Sequence, residues 1–394
     1  MSKLEKLISE LCPDGVPYKR LDECCTLEKG KTPIQKAIPG KYPLVVTTEE
    51  RKSANNYQFE KPTVCVPLVS SRGHGVACLN AVYYQEGRFA LGNILCGVTP
   101  IEGNGLTAKF LYYYLNLKKD KLIVPLMKGG ANVSLTVNSL KTVKVPIPPH
   151  EVQEEVIRLI DKFAELITTL QAELQARKKQ YEYYRNILFQ QFVDEGVPQV
   201  KLGDFCDLLS GNPFNSSMFT DDGIRLMRGM NIKRGVLEFS ESINRYWAND
   251  IGLEKYHLQA DDIVISMDGS LVGRSYAVIK EEVLPLLLVQ RVTRIRCTSS
   301  NSHYVFHYIA SGKFTDYVDL KKTAGAIPHI SMKDIANFSI PLPNIEEQNK
   351  VADTLDRFDT LCNDISAGLP AEIEARRKQY EYYRDKLLTF KELS

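Results

Sequence analysis

Two long segments of the chain carry apolar residues at alternating steps of three and four, which places them on one side of a helix. Each segment follows a Pro-x-Pro run, ending at Pro148 and at Pro343, that stops the preceding strand. We expect helices at 147–195 and 342–394, most simply packed antiparallel. The apolar positions are Val156, Leu159, Phe163, Leu166, Leu170, Leu174, Tyr181, Tyr184, Leu188 and Phe192, then Val351, Leu355, Phe358, Cys362, Ile365, Leu369, Ile373, Tyr380, Tyr383 and Leu387.

The rest of the chain predicts a short N-terminal helix at 1–16 and two globular blocks at 17–146 and 196–341. Each block has a run rich in β-branched residues, typical of a strand, and an aromatic-rich run, typical of a helix. The strands are expected at 61–69 and 262–267, and the helices at 110–117 and 304–310. The expected fold class is α+β: two mixed α/β domains separated by two long antiparallel helices that form a coiled coil.

An internal repeat organises this arrangement. Residues 176–185 read ARKKQYEYYR and residues 375–384 read ARRKQYEYYR, with nine of ten positions identical. The distance between matching positions grows from 195 to 199 residues within the second helix, near Gly368 and Pro370. Four extra residues beside a proline predict a kink or break at that point. The repeat also predicts approximate two-fold symmetry within the chain.

Composition excludes several classes of protein. The 394 residues are 44% hydrophobic and 25% charged, which is average for a globular protein and excludes wholesale disorder. The longest apolar run, residues 283–289, is far too short to cross a bilayer, and the N-terminus lacks the apolar stretch of a signal peptide. Nine cysteines without a C-x-x-C pair suit a reducing compartment. We expect a cytoplasmic protein.

Charge is distributed unevenly along the chain. Residues 17–146 hold 18 Lys and Arg against 9 Asp and Glu, a balance of +9, whereas residues 196–341 hold 16 of each. The three remaining segments are mildly acidic. A strongly basic globular block is typical of a protein that binds a polyanion, although a basic surface without a partner explains the charge equally well.

Catalytic motifs are incomplete. Residues 30–32 have the end of a phosphate-binding loop, but Cys25 occupies the position of its first glycine. Residues 103–108 have the glycine spacing of a dinucleotide site without a clear βαβ pattern. His303 and His307 lie four residues apart without the glutamate of a zinc peptidase between them. We therefore expect a binding protein with no catalytic residue, no metal site and no cofactor of its own.

Two globular blocks, each ending in Pro-x-Pro and leading into a helix with the repeated Tyr-Glu-Tyr-Tyr-Arg segment, closely resemble the specificity (S) subunit of type I restriction-modification systems. The resemblance covers essentially the whole chain. It implies that each block is a target recognition domain for one half of a bipartite duplex DNA sequence. It further implies that the helices fix the gap and dock two methyltransferase subunits, and that a restriction subunit completes an ATP-dependent nuclease. S-adenosylmethionine, ATP and Mg are then expected in the partner subunits, and no membrane is involved.

Basic side chains and glycine loops in the blocks are the candidate DNA contacts, each with a solvated surface charge as its alternative. In the first block they are Lys29, Lys31, Arg51, Lys52, Arg72, His74 and Lys128, and in the second Arg225, Arg228, Lys233, Arg234, Arg274, Lys321 and Lys322. Arg291, Arg294 and Arg296 alternate along one strand. They either line a DNA-facing sheet or pair with the acids of the second block.

The repeated tyrosine segments have two interpretations. Tyr181 with Tyr184, and Tyr380 with Tyr383, fit the seam between the helices. The candidates for binding the methyltransferases are the residues expected to project outward, namely Tyr183, Arg185, Tyr382 and Arg384.

Two other functions compete with a non-catalytic DNA-recognition subunit. One is a restriction or modification enzyme that acts alone, against which the incomplete motifs argue. The other is a coiled-coil scaffold without a DNA role.

Overall fold

The computed structural model describes residues 3–73, 75–323, 328–364 and 367–393. The chain divides into two compact units. Unit 1 consists of residues 1–169 and 373–394, and unit 2 of residues 170–372. Each unit thus joins one globular block to parts of the long helices. No helix in the described ranges is long and apolar enough to span a membrane.

The globular block of unit 1 combines short helices with small sheets. Its helices are α1 (Lys3–Leu11), α2 (Leu21–Cys24), α3 (Ala108–Leu122) and α4 (Val137–Lys141), followed by α5 (His150–Asp194), which continues into unit 2. Its strands are β1 (Tyr18–Arg20), β2 (Cys25–Lys29), β3 (Tyr42–Val45), β4 (Lys52–Ala54), β5 (Thr63–Pro67), β6 (Tyr83–Gln85), β7 (Ala90–Leu91), β8 (Leu95–Pro100) and β9 (Lys144–Pro146). The strand orders are β2-β8-β5-β6, β4-β3-β7 and β1-β9.

Unit 2 is built from the corresponding elements. Its helices are α6 (Leu202–Phe205), α7 (Ser302–Ala310), α8 (Lys313–Lys321), α9 (Met332–Ala336) and α10 (Ile345–Asn363), and α11 (Leu369–Leu387) begins in unit 2 and continues in unit 1. Its strands are β10 (Gln199–Lys201), β11 (Cys206–Ser210), β12 (Ile224–Met227), β13 (Tyr246–Trp247), β14 (Ile263–Ser266), β15 (Tyr276–Val278), β16 (Leu286–Leu288), β17 (Val292–Cys297) and β18 (Ser339–Pro341). The strand orders are β11-β17-β14-β15, β13-β12-β16 and β10-β18.

The two blocks share one strand topology, although their sequences look unlike outside the repeated motifs. Every strand of unit 1 has a counterpart at the same place in unit 2, down to the parallel pairs β3–β7 and β12–β16. The predicted strands and helices are present as β5, β14, α3 and α7. The predicted class, two mixed α/β domains with long helices, is confirmed.

The connecting loops of each four-stranded sheet lie on one side of it, where its strands start or finish. This edge runs across the ends of the strands and is not an outer strand. In unit 1, β2 and β5 end at this edge and β6 and β8 begin there, because all neighbouring strands are antiparallel. The same holds for β11, β14, β15 and β17 in unit 2. We call this the loop edge. It comprises residues 30–34, 68–73, 75–82 and 92–94 in unit 1, and 211–215, 267–275 and 289–291 in unit 2.

Gly30 and Gly211, matched in the repeat, stand where the chain enters the loop edge. A Cβ atom on Gly30 would lie 2.1 Å from the carbonyl oxygen of Gly92, and one on Gly211 would lie 2.2 Å from that of Val289. Both distances are far inside van der Waals contact. Glycine is therefore required at both positions, because the turn before β8 or β17 packs directly on the backbone.

A buried glutamine explains why the Pro-x-Pro motif is repeated together with Gln153 and Gln348. Gln153 accepts a hydrogen bond from the backbone N–H of Thr107 at 2.9 Å and donates one to the carbonyl of Pro148 at 2.8 Å. Gln348 does the same, accepting from Asn301 N–H at 3.0 Å and donating to the Pro343 carbonyl at 2.8 Å. Each glutamine thus ties the start of α3 or α7 to the start of a long helix.

The C-terminal helical segment predicted at 342–394, with a kink or break near Pro370, is divided into two helices, α10 and α11. The break lies just before Pro370, as the four extra residues predicted. Pro370 is tolerated because it stands in the first turn of α11, where its missing N–H would have no partner. A Cβ atom on Gly368 would lie 2.3 Å from the Thr360 carbonyl oxygen, so this tight connection also requires glycine.

The apolar seam of α5 is buried only in part. Val156 and Tyr181 are buried within their respective units, whereas Leu166 is 38% exposed. In unit 1 the ring of Phe163 stacks on Tyr383 of α11 at 5.6 Å, and in unit 2 Tyr184 stacks on Phe358 of α10 at 5.8 Å.

Both ends of the chain complete unit 1. Val16 pairs with the C-terminal segment: its N–H donates to the Lys391 carbonyl at 2.8 Å, and its own carbonyl accepts from Leu393 N–H at 2.9 Å. In unit 2 the matching Val197 follows directly from α5 and donates to Phe192. The helix α1 therefore occupies the place in unit 1 that the end of α5 occupies in unit 2.

Candidate nucleic-acid interface

Lys29 and Lys31 stand at the end of β2 on the loop edge of unit 1, and both are exposed. Gln58 fixes the backbone between them, because its amide accepts from Lys31 N–H at 2.9 Å and donates to the Lys29 carbonyl at 2.9 Å. The ammonium of Lys31 lies 2.6 Å from Glu28 in an exposed ion pair. The two lysines are thus presented to solvent from a fixed backbone.

Two further loops meet at the same edge. Val69 pairs with Ser134, which also pairs with Lys128, and Ser70 N–H donates to the Val133 carbonyl at 3.0 Å. These contacts place the loop that carries Arg72 beside the loop that carries Lys128, and both side chains are exposed. The candidate His74 lies outside the described residues.

Arg51 and Lys52 do not lie on the loop edge. The Arg51 guanidinium donates to the Gln85 amide at 3.1 Å and to the Glu49 carbonyl at 3.0 Å, and it lies over the ring of Tyr83. Gln85 is at the end of β6, opposite the loop edge. The Arg51 side chain therefore contacts β6 of the four-stranded sheet. Lys52 is exposed on β4.

Unit 2 has an open cleft of about 510 Å³ along its loop edge. The predicted residues Arg228 and Lys233 line it, together with residues that the sequence did not single out: Phe219, Met230, Asp268, Leu271 and Gln290. Burial lowers the pKa of Arg228, and the positive charge of nearby Arg245 lowers it further. The sequence gives no signal for these additional cleft residues, since no repeated motif contains them.

The remaining candidates of unit 2 surround this cleft to different degrees. Arg274 and Lys322 share the carboxylate of Asp319, at 3.0 and 2.6 Å, and the hydrogen bond from Lys322 is the main cause that lowers the pKa of Asp319. Lys321 is exposed beside them. Arg234 pairs with Tyr276 at the start of β15, again at the loop edge.

Arg225 lies on β12 with its guanidinium 4.7 Å from the centre of the Phe239 ring. It is half-buried, and its Nε atom has no hydrogen-bond partner within the described residues. This position makes Arg225 part of the sheet rather than of the loop edge.

The loops of unit 2 are joined as in unit 1. Asp268 pairs with His329, and Gly269 N–H donates to the Pro328 carbonyl at 3.1 Å. Both units thus hold the loop after the third strand of the sheet against the loop that precedes the last short helix. The same scaffold carries different side chains in the two units.

Of the two interpretations left open for Arg291, Arg294 and Arg296, pairing with acids is correct. Arg294 pairs with Asp207, and Arg296 donates two hydrogen bonds of 2.7 Å to Asp262, which is 1% exposed. These two arginines therefore hold the sheet together. Arg291 pairs with Asp268 at 2.7 Å but lies on the loop edge, before β17 begins.

The prediction that Arg185 projects outward is wrong. Its side chain is buried, and the guanidinium lies 5.0 Å from the centre of the Tyr181 ring one helical turn earlier. Arg384 is half-buried over Tyr380 in the same way, at 5.5 Å. Tyr183 and Tyr382 are 62% and 64% exposed. Each copy of the repeated segment thus combines a Tyr-Arg pair, buried in the first copy and half-buried in the second, with a tyrosine that is more than half exposed.

The two histidines of α7 belong to a buried network. His307 is fully buried, with Nε2 at 2.7 Å from Asp356 and Nδ1 at 2.9 Å from the Tyr181 hydroxyl. His303 lies 2.8 Å from the other oxygen of Asp356. These contacts join α7, α10 and α5 inside unit 2. Among the described residues, no cluster of His, Cys, Asp and Glu is arranged to hold a metal ion.

Comparison with known proteins identifies relatives over most of the chain. A sequence model of the family described as "Type I restriction modification DNA specificity domain" matches residues 13–177 and 194–375. A type I restriction enzyme specificity subunit from Escherichia coli is 31% identical over 316 residues, covering 74% of this chain and 73% of that protein. A putative type I restriction enzyme specificity subunit from Haemophilus influenzae is 27% identical over 410 residues, covering 98% of both.

Solved structures show the same fold. The type I restriction-modification S subunit from M. genitalium superimposes with a TM-score of 0.60 at 16% identity, covering 95% of this chain and 96% of that one. A second S subunit structure, from Thermoanaerobacter tengcongensis, gives a TM-score of 0.50 at 17% identity, covering 96% and 97%.

Proposed function

Because this chain belongs to the family of type I restriction-modification DNA specificity subunits, we propose that its two units each read one half of a bipartite duplex DNA target. The observation that carries this proposal is the loop edge. One topology occurs twice and gathers basic side chains at the same edge in both units, yet the side chains there differ. A common scaffold with different loop chemistry is what two readers of different half-sites need.

The composition of each edge fits DNA. Exposed cations such as Lys29, Arg72 and Lys128 suit phosphate oxygens, which supply affinity without sequence information. Amide and guanidinium groups such as Gln290 and Arg291 suit base edges in the major groove, where each base pair has a distinct pattern of donors and acceptors. The proposed recognition domains are residues 17–146 and 196–341.

We propose that the long helices bind the partner subunits. The outward Tyr183 and Tyr382 occur once in each copy of the repeat, which suits docking of two methyltransferase subunits, with Arg384 beside the second. A restriction subunit joins this assembly. In this proposal the chain is non-catalytic, and S-adenosylmethionine, ATP and Mg are bound by the partner subunits in the cytoplasm.

A domain exchange tests the proposal. Residues 17–146 are replaced by the matching block of another specificity subunit, the chain is expressed with its methyltransferase, and methylated sites are mapped in the host genome. We expect one half of the target to change and the other half to stay. The reciprocal exchange of residues 196–341 is the matched control and should change the other half. An unchanged target in both exchanges would reject the proposal.

The rival functions give different results. A self-sufficient modification enzyme would methylate DNA when the purified chain is incubated with S-adenosylmethionine alone, whereas we expect no methylation until the methyltransferase is added. A scaffold without a DNA role would show no salt-sensitive binding in a gel shift even with the methyltransferase present.

A further inference from the structure

Arg291 has an unusual backbone for an arginine. It stands in the turn between β16 and β17 with φ of +65°, and among the described residues Asp261 is the only other non-glycine with positive φ. This left-handed conformation is unfavourable for an L-residue. In unit 1, where Ile94 takes the matching place, the turn has no such residue. The strain is therefore a feature of this site and not of the shared fold.

Neighbouring residues form hydrogen bonds with both the backbone and the side chain of Arg291. Its carbonyl accepts a hydrogen bond from Met267 N–H at 2.8 Å, and Nη1 donates to Asp268 at 2.7 Å. The Asp268 side chain is 23% exposed and that of Arg291 is 62% exposed. Within the described chain Nη1 is the only guanidinium nitrogen of Arg291 that donates a hydrogen bond. The carboxylate thus restrains the guanidinium through Nη1 and leaves the donors of its other nitrogens available.

The site is more suitable for a base than for a phosphate. A carboxylate 2.7 Å from the guanidinium neutralises its charge and repels a phosphate. The major-groove edge of guanine is uncharged and presents two acceptors, O6 and N7, that match the spacing of a planar arginine fork. Arg228 lines the same cleft and is placed to neutralise a flanking phosphate, whereas Lys233 in that cleft is paired with Glu238 at 3.3 Å.

We propose that Arg291, positioned by Asp268, reads a guanine in the half-site bound by unit 2, donating two hydrogen bonds to O6 and N7. This inference rests on the proposed function. Arg291 is the specificity-determining residue, and Asp268 is a positioning residue that acts through it. Gln290, next to Arg291 on the same cleft, lies where it can contact a neighbouring base pair.

The test maps methylated sites in host genomes for the complete methyltransferase complex containing wild-type chain, Arg291→Ala, Arg291→Lys or Asp268→Asn. We expect Arg291→Ala to lose about 10- to 100-fold preference for one G·C pair, at one position of one half-site. Arg291→Lys keeps a charge without the fork and should not restore it. Asp268→Asn should lose part of the same preference at that same position. The other half-site should stay unchanged in all variants.

Arg228→Ala is the matched control, because it removes a cation from the same cleft. We expect it to weaken binding about equally for all sequences and to lower the salt dependence of binding by about one ion, whereas Arg291→Ala should leave that salt dependence unchanged. Circular dichroism and assembly with the methyltransferase establish that each variant folds.

Two results overturn the inference: a folded Arg291→Ala complex with an unchanged target, or one whose preference relaxes at an A·T pair. Failure of the proposed function is visible separately. In that case the wild-type complex itself shows no bipartite target, or the exchange of residues 196–341 changes neither half.

Discussion

Asp356 on α10 and the buried His307 on α7 are joined by a hydrogen bond of 2.7 Å. The second oxygen of Asp356 binds His303, one turn earlier on α7, at 2.8 Å. We call this arrangement, in which one carboxylate binds two side chains one turn apart on a helix, a clamp. Unit 1 has a clamp with other side chains: Asp161 on α5 binds Lys109 and Tyr113 on α3. Lys109 and Tyr113 occupy the positions of His303 and His307, counted from the helix start. One clamp therefore contains two histidines, and its counterpart contains none.

This difference predicts that unit 2 is sensitive to alkaline pH. The hydrogen bond to Asp356 raises the pKa of His303 from 6.5 to about 9, despite the opposing effect of burial. The stabilisation by charged His303 is thus complete below pH 6.5 and is lost as the pH rises through about 9. Because the His303 side chain is 38% exposed, we expect a loss of about 1 kcal/mol of unfolding free energy. Denaturant unfolding monitored between pH 6 and 10 measures it.

His303→Lys is the matched control, since lysine is the residue that unit 1 uses and it keeps its charge over most of this range. We expect this variant to show a flatter pH profile between 6.5 and 9. An identical profile for both proteins would mean that His303 does not carry the effect.

The same clamp predicts acid sensitivity. Burial alone would raise the pKa of Asp356, but the hydrogen bonds from His303 and His307 outweigh it and hold the pKa below its usual value. Its stabilisation is therefore present above about pH 4 and is lost as the pH falls further. Asp356→Asn should unfold at lower denaturant concentration at pH 7, and the difference from the parent chain should shrink towards pH 3.

Gln153→Glu is expected to destabilise unit 1. The glutamine amide nitrogen donates to the carbonyls of Pro148 and Gly105, and a carboxylate oxygen in its place would face both oxygens without a proton to share. Gln153 is fully buried, so we expect a loss of about 1–3 kcal/mol, measured by denaturant unfolding at pH 7. Gln171→Glu, on the exposed side of α5, is the control and should change stability by less than about 0.5 kcal/mol. Equal effects would contradict the role given to Gln153.

Sequence patterns predicted the long helices, the repeat and the break near Pro370, because these depend on local periodicity and on backbone rules. They predicted approximate two-fold symmetry but not the strand topology that the two blocks share, since strands such as β7 and β16 are short and are defined by partners distant in sequence. Arg185 looked exposed because a charged residue in a helix usually is. Its burial depends on the ring of Tyr181 and the block packed around it, which no local pattern contains.

The sequence predicted the positions of some candidate DNA contacts on the fold better than those of others. Lys29 and Lys31 stand on either side of Gly30, which matches Gly211 in the second half of the chain. This match indicates the end of a strand, so the sequence contains a signal for their place on the loop edge. Arg51 also belongs to the basic first block, but its side chain contacts Gln85 and Tyr83, which lie far from it in sequence. Asp268 and Arg291 come together only through strand pairing.

Tyr183 and Tyr382 are expected to bind one methyltransferase subunit each. Aromatic residues that are more than half exposed on a helix are typical anchors of an interface, and truncating an anchor costs about 2 kcal/mol or more of binding energy. We expect Tyr183→Ala and Tyr382→Ala each to release one methyltransferase and the double variant to release both, as measured by native mass spectrometry. Lys179→Ala, exposed on the same helix, should keep both subunits bound. Full occupancy in the double variant would place the docking surface elsewhere.

Residues 170–177 of α5 read LQAELQAR, a tandem of two four-residue copies. Deleting the second copy, residues 174–177, is expected to change the gap between half-sites and nothing else. Four residues shorten a helix by about 6 Å, close to two base-pair rises of DNA. Methylated-site mapping should therefore return both original half-sites with a gap altered by about two base pairs. Replacing Gln171 and Gln175 by alanine keeps the helix length and should leave the gap unchanged. A deletion variant that methylates with the original gap would show that α5 does not set the spacing, and one that alters a half-site would show that the tandem contributes to base reading.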